Sequence, residues 1–449
     1  MLKSKTEIIL ILIHLLIGAA IFVIRPLASL YQLLIIAVSF YFILRKKDNN
    51  VAILVACGYA VGSDVFLRMS GGALTNEFHK YLVILFMIIG LFMNKKDVKG
   101  GVYLIYIILL FPSIIFANYS LNVEIRKLIA FNLSGPFCLG ITAFYMYKCR
   151  ISFKDLNLVF FAILLPIISM TVYIFMYNPN VSEVIIDTSS NHSTSGGWGP
   201  NQVATILGIG IFILISRLIL FKKNIIIKLL EIGLLLTMTF RNLITFSRGG
   251  ILTALVAVVI FLAILYLYGN TKMKNKLLAF FFLMIISLGA VWLYTSAVTD
   301  GIIDKRYANE DVTGREKKDI TTGRISIINI EIDAFFERPI FGIGAGNGKQ
   351  YRLDRTGIEA ASHNEFTRAL AEHGSLGAIG LLILLIHPLV LRYDNRKNPY
   401  FYSMLLICFL TLSHSATRIS APSFIYGLAL VNVIYEKSSL RRKSIEQNG

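Results

Sequence analysis

Apolar runs, most of them about 16 residues or more, recur from one end of this chain to the other, and no other feature constrains its fold as tightly. A run of that length crosses a bilayer as a helix, because in lipid every backbone polar group must be paired within its own segment. The runs fall at 8–24, 27–44, 51–67, 81–93, 102–117, 128–147, 158–177, 202–220, 225–243, 251–268, 277–298, 376–391, 400–412 and 422–435. The sequence therefore predicts an all-α, polytopic transmembrane bundle of about 12–14 spans. A basic start, Met1 to Lys5, leads into the first run without a small-residue cleavage site. That run reads as an uncleaved first span, and a secreted protein is excluded because similar runs continue to the end. Only 16% of the 449 residues are charged, against about a quarter in a soluble domain.

The net charge of +18 does not point to nucleic acid, since no basic run alternates with aromatics. Its placement is informative instead. Arg45-Lys46-Lys47, Lys95-Lys96-Lys99, Lys148/Arg150/Lys154, Lys222-Lys223, Lys272/Lys274/Lys276, Arg392/Arg396/Lys397 and the tail Lys437/Arg441-Arg442-Lys443 fall on one side of the predicted spans. The opposite short loops hold Arg25, Arg68, Arg126-Lys127 and Arg418. With the long loop set aside, the bias is roughly three to one and alternates without exception, which predicts both termini in the cytoplasm of a bacterial inner membrane. The four cysteines, Cys57, Cys138, Cys149 and Cys408, sit in or beside apolar runs without metal-type spacing and read as packing residues.

Two outer loops are large, 178–200 and 299–375. The first contains the polar, Gly-rich run Ser189-Ser190-Asn191-His192-Ser193-Thr194-Ser195-Gly196-Gly197-Trp198-Gly199-Pro200. In the second, Ile325, Ile328, Ile332, Phe335 and Phe336 recur at helical spacing with Glu331, Asp333 and Glu337 between them. That pattern predicts an amphipathic helix against the membrane or the bundle, ended by Arg338-Pro339. Ser362-His363-Asn364-Glu365 has the form of a capping box, with Ser362 as N-cap, and Gly374 is expected to close or bend the helix that follows.

No P-loop, HExxH, nucleophile-elbow serine or Asp-x-Asp pair is present. Gly342-Ile343-Gly344-Ala345-Gly346-Asn347-Gly348 follows a helix rather than a strand, so it reads as a turn allowing close backbone approach, not as a dinucleotide site. Arg248, Arg324 and His363 stand out on the outer side. A guanidinium keeps its charge and grips phosphate oxygens with two parallel donors, which suits these arginines to a lipid-linked diphosphate as well as to interfacial snorkelling. The dipole at a helix start disfavours imidazolium, so His363 is expected to be neutral and able to act as a base. Glu365, His373 and Arg241 are candidate auxiliaries. His192 is a further candidate helper, while His14, His79, His387 and His414 lie in or beside spans.

At these residues the chain resembles the O-antigen ligase and polymerase superfamily of bacterial envelope glycosyltransferases. The resemblance rests on Ser247-Arg248-Gly249-Gly250, Thr322-Gly323-Arg324, Arg338-Pro339-Ile340-Phe341-Gly342-Ile343-Gly344, and Ser362-His363-Asn364-Glu365 before Glu372-His373-Gly374. It implies an N-terminal transmembrane bundle over 1–200 and a ligase-like membrane region over 201–449 that includes the 299–375 loop. It further implies transfer of a glycan from undecaprenyl diphosphate to an acceptor hydroxyl at the periplasmic face. His363 would be the base, Arg248 and Arg324 would hold the diphosphate, and neither cofactor nor metal would be needed. The expected partners are the lipid-linked donor, a lipid A–core or other glycan acceptor, and membrane lipids. Transfer to lipid A–core is preferred, with polymerisation of repeat units as the alternative. A lipid-linked-sugar transporter is the rival from another class; it would use ionisable residues near mid-membrane, for which Asp64 and Glu231 are the candidates.

Overall fold

The computed structural model describes residues 3–45, 49–94, 99–117, 119, 124–185, 187–190, 192–317, 319, 321, 323–357, 361–393 and 395–435. Of the residues singled out above, Lys46, Lys47, Lys95, Lys96, Asn191, Thr322, Lys437, Arg441, Arg442 and Lys443 lie outside the described residues. Every predicted span but the last falls on helix, the 102–117 run on two, and the last is helical only in part. Among the described residues, nine helices are long and apolar enough to cross a membrane, and Phe78–Met93, Gly101–Ile115 and Phe401–His414 are shorter apolar ones. The molecule is an all-α, multi-pass membrane protein.

Both halves of the sequence share one packed core. The Phe153–Tyr177 helix lies at its centre, with the Ser4–Val23, Asn49–Ser70 and Pro200–Leu220 helices packed around it. Lipid tails offer no hydrophobic drive between helices, so close backbone approach has to supply the attraction. Glycines provide it: Gly18 rests on the backbone of Ser169 and Gly62 on that of Ile163, where a Cβ would collide. By contrast, only 6% of the apolar stretch in Thr271–Val298 is buried within the protein, which places that helix at the periphery. Side-chain caps fix several helix starts, with Ser152 accepting the Asp155 amide and Asn224 that of Ile227.

The 102–117 run is broken at Pro112, which begins a separate short turn after Gly101–Leu110. The last run also differs from expectation. Its helix stops at Ala429, and Asn432–Ile434 pairs in parallel with Arg150–Ser152. Side chains and neighbouring amides take the carbonyls that a longer helix would have used. Asn398 donates to Ala429 at 3.3 Å, Lys148 N–H to Leu430 at 3.1 Å and Asn395 to Val431 at 2.6 Å.

The long loop holds the helices Ile302–Ala308, Arg324–Glu337 and Gly348–Thr356. The expected amphipathic helix is present and ends before Arg338-Pro339, but the face it turns to the protein is not the apolar one. Glu331 and Ala334 are buried, while Ile325 and Phe336 are exposed. Glu331 accepts from Arg352 at 2.8 Å and from the Thr367 hydroxyl at 2.5 Å, which satisfies the carboxylate inside the contact. Gly374 interrupts Glu365–Leu391 with φ 62° and ψ −142°. The break frees the carbonyls of Ala371 and Glu372 to accept the amides of Ile343 and Gly344, at 2.9 and 3.2 Å. The Gly-rich turn is thereby docked on the helix, with Gly342 against the Glu372 backbone.

Candidate functional site

Residues 245–250 turn the chain between two spans at the end of the bundle that carries the long loop. Phe246 has a left-handed backbone, φ 55°, and the Thr245 hydroxyl accepts the Ser247 amide at 3.2 Å. The Ser247 hydroxyl donates to Asn201 at 2.8 Å, and Asn201 donates to the His414 carbonyl at 3.3 Å. A Cβ on Gly249 would lie 2.6 Å from His414 Cγ, and one on Gly250 would meet Ala204. Ser-Arg-Gly-Gly thus seats Gly249 against His414 and makes Arg248 the first residue of the Arg248–Tyr268 helix.

Arg324 is likewise the first residue of its helix, after Gly323 at φ 78°. A cation at a helix start opposes the helix dipole. Burial, and then the neighbouring Arg248 guanidinium, hold Arg324 below the ordinary arginine value. Arg306 joins them: burial first, then Arg248, lower it to about 10, with Arg324 adding to the effect. Its Nε donates to the Phe246 carbonyl at 3.2 Å. Guanidinium groups gathered in a partly desolvated place repel one another, and a multiply charged anion among them would relieve that repulsion.

His363 lies just ahead of the Glu365–Leu391 helix. The capping box is not formed as expected. Asn364 is the N-cap and accepts the Phe366 amide at 2.9 Å, while the Ser362 hydroxyl accepts the Asn364 amide at 3.2 Å. Asn364 holds the cap because Ser362 sits two positions too far out once the helix starts at Glu365. The Ser362 carbonyl is gripped by Arg418 at 2.7 Å. His363 is lowered to about 4, first by burial and then by Arg418, Arg324, His414 and Arg352. The ring is therefore neutral at physiological pH, as expected, although burial rather than the helix dipole is the chief cause.

A cleft opens beside Ser362. Arg368 forms its floor. It is ion-paired with Glu365 and, at 2.9 Å, with Glu372, and it donates to the Asn132 side chain and carbonyl at 3.1 and 3.0 Å. Arg418, Lys349 and Phe131 also line it.

Residues 233–382 match a family model described as O-antigen ligase. This stretch of the chain is similar to that family. Arg248, Arg306, Arg324 and His363 all fall within it. No curated protein matches the chain.

Within the matched stretch the structure brings Arg324 into electrostatic reach of both Arg248 and His363. The candidate auxiliaries are engaged elsewhere. Arg241 donates to the Asn178 carbonyl at 2.9 Å and stacks over Phe175, where it anchors the start of the 178–200 loop. Glu365 is committed to Arg368 and accepts from the Thr417 hydroxyl at 3.2 Å. His373 is buried against an apolar cavity lined by Tyr106 and Leu110. His192 is exposed on its loop. Sequence reasoning passed over Arg306, Arg352, Arg418 and His414. The available signal was arginine in loops on the side where Lys and Arg are scarce, since a charge retained there has a use other than topology.

Proposed function

We propose that the protein transfers a glycan from undecaprenyl diphosphate to an acceptor hydroxyl at the periplasmic face of the inner membrane, with lipid A–core as the acceptor. The observation that carries this reading is the neutral imidazole of His363 close to Arg324, which in turn neighbours Arg248 and Arg306. Neutral imidazole takes the acceptor proton as the acceptor oxygen bonds to the anomeric carbon. The bond from that carbon to the diphosphate oxygen breaks on the opposite face, so the sugar inverts. The charge left on the diphosphate is stabilised by the guanidinium groups. A positioned base contributes about 10²–10⁴ in rate, and charge stabilisation a comparable factor. The transporter rival fits less well, because Asp64 and Glu231 are tied up in buried pairs with Arg68 at 2.7 Å and Arg217 at 2.8 Å.

The test uses purified protein in liposomes with labelled donor and lipid A–core. His363→Gln keeps hydrogen bonding but cannot take the proton at neutral pH, and transfer should stop while the protein still folds and binds donor. Arg324→Lys keeps the charge but loses the two-pronged grip, and most activity should go with it. Near-normal turnover in both variants would reject the assignment, and glycan movement across the liposome without joining would favour the transporter.

A further inference from the structure

The cleft beside Ser362 is a compartment separate from the arginine cluster. Among its described lining residues are neither Arg248, Arg306 nor Arg324. Its floor is rigid, because Arg368 is held by Glu365, Glu372 and Asn132. The rim is different. Lys349 is exposed, and the lining residue Phe131 is 48% exposed. Arg418 commits one nitrogen to the Ser362 carbonyl. Arg352 is paired with Glu331 at 2.8 Å and Arg368 with Glu365 and Glu372, and Lys349 and Arg418 are the cations at the rim. One wall also holds a strained residue, Ala416 at φ 53°, a left-handed backbone that a side chain disfavours. It is kept there by its neighbour: Thr417 donates to Glu365, and its carbonyl accepts from Lys80 at 3.2 Å. Strain of this kind collects at binding sites.

An aromatic residue, a polar floor and a cationic rim together match one ligand chemistry. A sugar ring sets its apolar face on an aromatic side chain, its hydroxyls pair with carboxylate and amide groups, and a charged substituent seeks the cations. His363 follows Ser362 in the cleft wall and is acted on both by Arg418 and Arg352 of the cleft and by Arg324 of the arginine cluster. Building on the glycan-transfer reading, we infer that this cleft is the acceptor subsite and takes a sugar bearing a negatively charged substituent, phosphate or carboxylate, for which Lys349 and Arg418 select. The arginine cluster then serves the donor, the cleft serves the acceptor, and the base stands between them.

The test is ligand-observed saturation-transfer NMR on the full-length protein in detergent, with glucose 6-phosphate, methyl glucuronide and methyl glucoside as probes. At least one anionic sugar should bind about tenfold more tightly than the neutral one, and Lys349→Gln should remove that preference. A response to the phosphate sugar alone, or to the glucuronide alone, identifies the substituent and upholds the cleft. Equal signals from all three probes, or an anionic preference that survives Lys349→Gln, overturn the inference. So does an anionic signal abolished by farnesyl diphosphate, because it would belong to the arginine cluster. Lys349 is exposed, so its loss leaves the fold intact, and circular dichroism checks this. His363→Gln should bind the probes like the parent protein. If the cleft binds as described and no glycan is ever transferred, the functional reading fails alone. If transfer proceeds with an acceptor KM unmoved by Lys349→Gln, the cleft inference fails alone.

Discussion

His363 is a poor base in the unliganded protein. Burial and nearby cations hold it at about 4, so it is neutral but accepts a proton weakly. In the proposed reaction donor binding would alter that balance, because a diphosphate among Arg248, Arg306 and Arg324 would add negative charge near the ring and favour imidazolium. The sign is definite: the cations lower the ring's pKa and the anion raises it. Activity needs neutral imidazole, so it rises with pH through whichever value applies. For the donor at saturating acceptor, kcat/KM reports the free protein and should rise near pH 4. The limb of kcat reports the donor complex and should lie about one unit or more higher, since each unit is about 1.4 kcal/mol of interaction. By reciprocity the donor should bind more tightly as pH falls through that window. Two limbs at the same pH would show that the diphosphate does not sit beside His363. Arg248, Arg324 and His363 were legible because each stands in a short motif. Arg306, Arg352 and Arg418 were not, because each is a lone arginine whose neighbours are set by how distant loops fold together.

Among elements, the Gly-rich turn and the kinked helix form one joint. Each glycine was readable as a site of close approach, but which backbone it would approach was not, because the partner lies far along the chain. Gly374 shows the cost of filling the joint. A Cβ there would lie 2.6 Å from the Ile340 carbonyl and 2.7 Å from the Gly342 amide, on a backbone at φ 62°. Gly357 has a similar left-handed backbone, φ 66°, but among the described residues nothing lies within 4 Å of a Cβ there. Gly357→Ala should therefore lose only the left-handed penalty of about 1–2 kcal/mol. Gly374→Ala should lose that plus the cost of moving two backbones, about 3 kcal/mol or more in total. Thermal unfolding in detergent orders the two, and equal losses would mean that the joint yields freely. The amphipathic helix shows where periodicity misleads. Its apolar stripe was legible, but lipid is an alternative place for that stripe. The protein-facing side is chosen instead by the ion pair of Glu331 with Arg352 at 2.8 Å, which the hydrophobic pattern does not encode.

At the scale of the whole molecule, the apolar runs made the bundle legible, since length and hydropathy alone dictate membrane helices. How they pack was not legible, because lipid-facing and core-facing spans have similar composition, as Thr271–Val298 at the edge and Phe153–Tyr177 at the centre show. Charge adds a direction to this bundle. Lys154, Lys223, Lys276 and Lys397 lie toward one end, and Lys276 donates there to the Ile219 carbonyl. Toward the other end lie Arg248, Arg306, Arg324, Arg352 and Arg418. Positive charge holds loops in the cytoplasm, so the lysine-bearing end should be the inner one. The opposing arginines do not contradict this, because the rule counts short loops and most of the arginines belong to the long one, which crosses largely regardless of charge. Reporter fusions after Lys99, Lys154, Lys223, Lys276 and Lys397 should therefore give cytoplasmic signals, and a fusion after Asp333 a periplasmic one. Asp333 is the decisive position, since it lies in the helix begun by Arg324 and shares the compartment of the candidate site. A lipid-linked glycan presented for transfer to lipid A–core is reached only from outside. A cytoplasmic signal at Asp333, with the remaining fusions as expected, would leave the bundle intact and remove the proposed chemistry.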